Sequence, residues 1–79
     1  MSRVIDINAA VIGKRLRQIR KDLGLSAKEV QKFLCLGSVV SIYWWEEGRR
    51  MIPTWALLNL MSFYGIEVDE LLKEDTPNA

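Results

Sequence analysis

The sequence predicts an all-α fold, a compact bundle of five short helices. Three observations carry that expectation. Apolar residues recur every three to four positions, the period of a helix with one buried face. Glycines and small polar residues stand at the ends of those runs, where helices stop and start. No stretch makes a convincing strand.

The first helix is expected from about Ala9 to Leu23. Val11, Ile12, Leu16, Ile19 and Leu23 form its apolar stripe, and Lys14, Arg15, Arg17, Arg20 and Lys21 fill the rest. Gly24 follows as the residue that ends it. Ser26 with Glu29 three residues later has the form of a capping box. It opens a second helix to about Leu34, with Val30, Phe33 and Leu34 inward. "CLGS" then turns around Gly37. Ser38 is the expected cap of the third helix, in which Val39, Ile42 and Trp45 continue one stripe until Gly48 stops it. After the loop "RRMIP", Thr54 is expected to cap a fourth helix. Trp55, Leu57, Leu58, Leu60, Met61, Phe63 and Tyr64 give it a broad apolar surface. Gly65 ends that helix, and a short fifth one is expected near Val68 to Lys73. Two placements stay open for the leading "VIDIN": extended, with Val4, Ile5 or Ile7 packed on the body, or paired with another chain.

Length and composition narrow the function. A chain of 79 residues is one domain near the lower size limit for folding alone. The expected core is about 9–73, with residues 1–3 and 75–79 flexible. There is no His and a single Cys, so neither an internal disulfide nor a usual zinc set is available, and no metal or other cofactor is expected. Cys35 lies in an apolar run and reads as a small buried hydrophobe. No signal peptide or membrane span is visible, which with the reduced Cys predicts a cytoplasmic protein. An enzyme is not expected. No nucleophile–base pair can be placed, and the acidic neighbours Glu46–Glu47 and Asp69–Glu70 diverge by about 100° on a helix.

The net charge is only +1, yet the charge is unevenly placed. Residues 1–50 hold ten Lys and Arg against five Asp and Glu, and residues 51–79 hold Lys73 against five acids. Such asymmetry fits a basic half that faces an anion while the acidic half points away. An ordinary solvated surface is the other reading.

Two short helices joined by a glycine-containing turn, followed by a glycine and a basic loop, outline a helix-turn-helix. At these spacings, "IGKRLRQIRKDLGLSAKEVQKFL", "IYWWEEG" and "VDELL" resemble the lambda-repressor-like (Cro-type, XRE family) regulators of bacteria and their mobile elements. The likeness spans about Ile12 to Leu72. It implies sequence-specific binding of double-stranded DNA, with the third helix in the major groove and a homodimer on a two-fold site. It also implies roles. Ile42 and Trp45, with Val30, match the core of the motif. Arg20 and Glu46 match a structural ion pair. Gly48 matches the helix end, and Arg49 and Arg50 match a loop near phosphates.

Trp45 continues the buried stripe, so the neighbouring Trp44 must point elsewhere. The expected groove-facing set is Ser38, Val40, Ser41, Tyr43 and Trp44. The expected phosphate contacts are Lys28, Lys32, Arg49, Arg50 and Arg17. This chain departs from the family where Lys or Arg is common (Trp44), where a polar residue is common (Val40), and where Gln commonly follows the second helix's cap (Ala27). Glu47 adds a negative charge at the same face. The competing reading is a protein-interaction module of antitoxin type, with Val40, Tyr43 and Trp44 as an apolar patch for a protein partner.

Overall fold

The computed structural model describes residues 7–72, and over that span the chain is five helices: α1 (Ala9–Asp22), α2 (Ala27–Phe33), α3 (Val40–Glu46), α4 (Thr54–Tyr64) and α5 (Val68–Leu72). No strand occurs among the described residues. Expectations for residues 1–6 and 73–79, including the flexible ends, Val4, Ile5 and the last residue of the fifth helix, lie outside the described residues.

α1 is the element on which the others assemble, packing against both α3 and α5, while α2 packs on α3. Asn8 caps it, its side-chain oxygen accepting from the amides of Ala10 at 2.8 Å and Val11 at 3.3 Å. The capping box of α2 forms as expected. Ser26 Oγ accepts from the Glu29 amide at 3.0 Å, and Glu29 Oε1 accepts from the Ser26 amide at 2.8 Å. Donation to the carboxylate from the Ser26 amide, and then from the Ser26 side chain, favours the ionised acid and holds the Glu29 carboxyl below its ordinary value of 4.5.

The core gathers Ile12, Leu16 and Ile19 of α1, Ala27 and Val30 of α2, Ile42 and Trp45 of α3, and Ala56, Leu60 and Tyr64 of α4. Val11 and Leu23 do not join it. They sit at the margin of the α1 stripe and are half exposed. Phe33 is also outside. It stacks on Phe63 of α4, with ring centroids 4.0 Å apart and planes within 10°. On α4, Trp55, Leu58 and Phe63 are exposed, because the buried stripe runs through Ala56, Leu60 and Tyr64 instead.

Three of the expected helix ends differ in detail. The residue before α4 is Pro53, not Thr54. Thr54 is the first helical residue and makes no capping bond. α3 begins one residue later than its polar signal. Ser38 Oγ accepts from the Val40 amide at 3.1 Å, with Val39 between them. The turn after α2 does not pivot on Gly37. Cys35 is the left-handed residue (φ 57°), with its amide on the Lys32 carbonyl and the Leu36 amide on the Gln31 carbonyl. This is the Schellman arrangement, which α1 and α3 complete with Gly24 and Gly48. Standing where those helices use glycine, Cys35 projects outward and is exposed, contrary to the buried position expected of it.

Candidate nucleic-acid interface

α3 has two faces of different chemistry. Its rear carries Ile42, Trp45 and Glu46, all buried. At about 100° per residue, Val40, Tyr43, Trp44 and Glu47 then share the front. Val40 and Tyr43 are 44% and 45% exposed. Ser41 lies at the edge and is half-buried, and Ser38 is exposed.

The rear is anchored in three ways. Glu46 receives the Arg20 guanidinium through two bonds, Nε to Oε2 at 2.7 Å and Nη2 to Oε1 at 3.0 Å. Arg20 Nη1 donates to the Leu25 carbonyl at 2.9 Å, tying in the turn between α1 and α2. Both side chains are buried. The carboxylate bonds raise the Arg20 pKa further above its already high value. A fork-to-fork pair of this kind fixes the angle between two helices more than it adds stability. The second anchor is Gly13, in mid-helix and buried. A Cβ there would overlap the Trp45 carbonyl oxygen and lie 2.9 Å from that of Glu46, so the backbones of α1 and α3 meet with no side chain between them. Gly48 is the third. Its φ is 78°, and a Cβ would stand 2.7 Å from Ala10 Cα.

Tyr64 reaches the same region. Its hydroxyl is buried and has no hydrogen-bond partner among the described residues. Burial and the nearby Glu46 charge push its pKa far above the ordinary phenol value.

The cations expected to meet phosphate are all on the surface: Arg17 on α1, Lys28 and Lys32 on α2, and Arg49 and Arg50 after α3. Two of them already have company. Arg49 Nε is 3.0 Å from Glu47 Oε1, an exposed pair that competing charges open at little cost. The Arg50 guanidinium lies over the Trp44 ring, 4.8 Å from its centroid. Trp44 is therefore half-buried, not a fully open ring on the groove-facing side.

Arg15 has left the basic surface altogether. It bonds to α5 through the Glu70 carbonyl at 3.0 Å and carboxylate at 2.8 Å. Near that contact an open groove is edged by Asp22, Glu67, Asp69 and Glu70. Its carboxylates would repel a nucleic-acid backbone. Sequence reasoning missed Gly13, the Arg15–Glu70 contact and the Trp44–Arg50 contact. Only Gly13 left a signal, as a glycine inside an otherwise strong helical run.

Residues 11–73 match the family described as helix-turn-helix domain. The chain belongs to that family. Among solved structures, this helix-turn-helix chain is similar to the restriction-modification controller protein C.AhdI from Aeromonas hydrophila, with 28% identity and a TM-score of 0.70. The match covers 80% of this chain and 94% of that one. It is also similar to the DNA-binding domain of BldD, at 35% identity and a TM-score of 0.69, over 82% of this chain and 93% of that one. A second BldD DNA-binding domain, from S. venezulae, matches at 35% identity and a TM-score of 0.67. No curated protein sequence matches the chain with significance. Fold and family are those of DNA-binding transcriptional regulators of the lambda-repressor-like type. No described helix is long and apolar enough to cross a membrane.

Proposed function

We propose that this helix-turn-helix regulator acts in the cytoplasm as a homodimer, laying the front of α3 in the major groove of duplex DNA. The observation that carries the proposal is the build of α3. Its rear is locked by Arg20–Glu46, Gly13 and Gly48, its front is exposed at Val40 and Tyr43, and α1, α2 and the loop after α3 each carry exposed cations. Lys28, Lys32, Arg17, Arg49 and Arg50 supply sequence-independent attraction and set the register, while Ser38, Val40, Ser41, Tyr43 and Trp44 meet base edges. The exposed Trp55 and Leu58 of α4, both at least half exposed, supply apolar surface for a second copy. Two copies would read half-sites about one helical turn apart.

The test is fluorescence anisotropy of labelled mixed-sequence duplex titrated with protein between roughly 50 and 200 mM salt. Five phosphate contacts per subunit predict a log–log slope of about −4.5 for each subunit bound. Absence of binding at the low-salt end would overturn the proposal. Val40 and Tyr43 would then be tested as contacts for a protein partner. Sedimentation of wild type against Leu58→Glu checks the dimer. A wild type that stays monomeric at the concentrations where DNA is bound rejects it.

A further inference from the structure

α3 of a major-groove reader would be expected to carry the side chains that hydrogen-bond base edges, chiefly Arg, Lys, Asn and Gln. Between Val40 and Glu46 this helix has none of them. Its polar groups are few, and apart from the exposed Tyr43 hydroxyl each has another contact or lies at the edge of the face. Glu46 is consumed by Arg20 and Glu47 is paired with Arg49. Ser38 holds the Val40 amide. Ser41 is half-buried at the edge of the face. Apart from the Tyr43 hydroxyl, what α3 presents is hydrocarbon: the Val40 side chain and the Tyr43 ring, one turn apart on one stripe. Beside them lies the edge of the Trp44 indole, with Arg50 across its face.

The major-groove edge of DNA offers one apolar group, the C5 methyl of thymine. Resting on the DNA-binding reading above, we infer that Val40 and Tyr43 determine specificity by packing on pyrimidine C5 methyl groups. The flanking cations then supply affinity that is indifferent to sequence. Charge complementarity supports this occupant over a protein surface: Arg50 lies on Trp44 and Arg49 on Glu47 at the end of α3, and α2, which packs on α3, carries the exposed Lys28 and Lys32. Thymine provides the methyl in unmodified DNA, and 5-methylcytosine presents the same group at the same ring position.

The experiment starts from the full chain and a pool of short duplexes randomised at their centre. Enriched duplexes are resynthesised with each thymine replaced in turn by uracil, which removes the methyl and nothing else. They are also made with cytosine or 5-methylcytosine at the same positions. Burying one methyl is worth about fourfold in affinity, and two about fifteenfold. The expected result is a loss of that size for uracil at one or more positions per half-site, with a gain from cytosine to 5-methylcytosine there. In Val40→Ala, whose side chain is far from buried, the thymine-to-uracil ratio is expected to fall toward one at the position Val40 covers, whatever the overall affinity. Equal binding of all uracil and thymine duplexes overturns the inference and leaves the DNA-binding reading standing. So does an enriched site read through guanines, or a ratio unchanged in both Val40→Ala and Tyr43→Ala. Failure of every duplex to bind overturns both.

Discussion

Replacing Cys35 by glycine should make the protein more stable. Cys35 is held at φ 57° to close the end of α2. A left-handed backbone costs an L-residue roughly 1–2 kcal/mol. Glycine avoids that strain but loses about 0.5–1 kcal/mol more backbone entropy on folding. The difference favours Cys35→Gly by about 0.5–1 kcal/mol. The Cys35 side chain is exposed, so little burial is lost, and both turn hydrogen bonds come from backbone groups that glycine keeps. For a domain of this size, that gain raises the thermal midpoint by roughly 2–8 °C, read by circular dichroism under reducing conditions. Cys35→Ser controls for the thiol and should melt within about 0.5 kcal/mol of wild type. Gly24→Ala is the mirror experiment. Its φ is 74° and its Cβ would meet nothing within 4 Å, so only backbone strain enters and the midpoint should fall by a similar amount. If Gly24→Ala lowers the midpoint while Cys35→Gly leaves it unchanged or lowers it, the strain argument for Cys35 is refuted.

Gly13→Ala should destabilise the domain by about 1–3 kcal/mol in urea titrations through overpacking against the α3 backbone, although helix propensity alone predicts a gain near 1 kcal/mol; a gain would show that α1 and α3 separate easily. Glu46→Ala strands a buried guanidinium and should cost about 3–5 kcal/mol, while the double change Arg20→Met with Glu46→Leu should cost less than that single change. A double-mutant cycle of urea midpoints checks this, and an additive result would contradict it. Tyr64→Phe removes a buried hydroxyl with no partner among the described residues and should be neutral or stabilising by up to about 1 kcal/mol in the same assay. The lowered Glu29 pKa makes its stabilisation present above the unfolded value near 4.5 and lost as pH falls through the lower folded value. Glu29→Gln should therefore melt below wild type near neutral pH and converge with it in acid; a difference that stays constant across that window excludes the linkage.

The parts of this fold that were legible in the sequence are those whose cause is local. A capping box, a glycine that ends a helix and a 3.6-residue stripe each act within a few residues, and α1, α2, α3 and α4 lie along those stripes, with the starts of α3 and α4 displaced by a residue from their expected caps. Arg20–Glu46 was legible only through the family resemblance, because nothing local joins positions 26 apart. What could not be read depends on how elements meet. Cys35 sits in an apolar run, yet the geometry of the preceding helix end turns it outward. Val11 and Leu23 obey the stripe, but no neighbour covers that edge of α1 among the described residues. Trp44 was correctly separated from Trp45 by the 100° step, while its cover, Arg50, arrives from beyond the helix end and leaves no periodic trace. The Arg15–Glu70 contact likewise joins segments 55 residues apart.

The three anchors of α3 are not spread along its length. Gly13 touches Trp45 and Glu46, Arg20 grips Glu46, and Ala10 abuts Gly48, so all act on the C-terminal turn. The N-terminal turn is held by Ile42, by the partly buried Val39 before it and by one exposed bond from Ser38. Mechanically, α3 is a cantilever with its clamp at Glu46 and its more lightly held tip at Val40. Displacement grows with distance from the clamp, so the tip can settle against a base step while Arg49 and Arg50 keep their station. Amide deuterium exchange should display this as a gradient, slow at Trp45 and faster toward Val40, that flattens when the tip is seated on DNA.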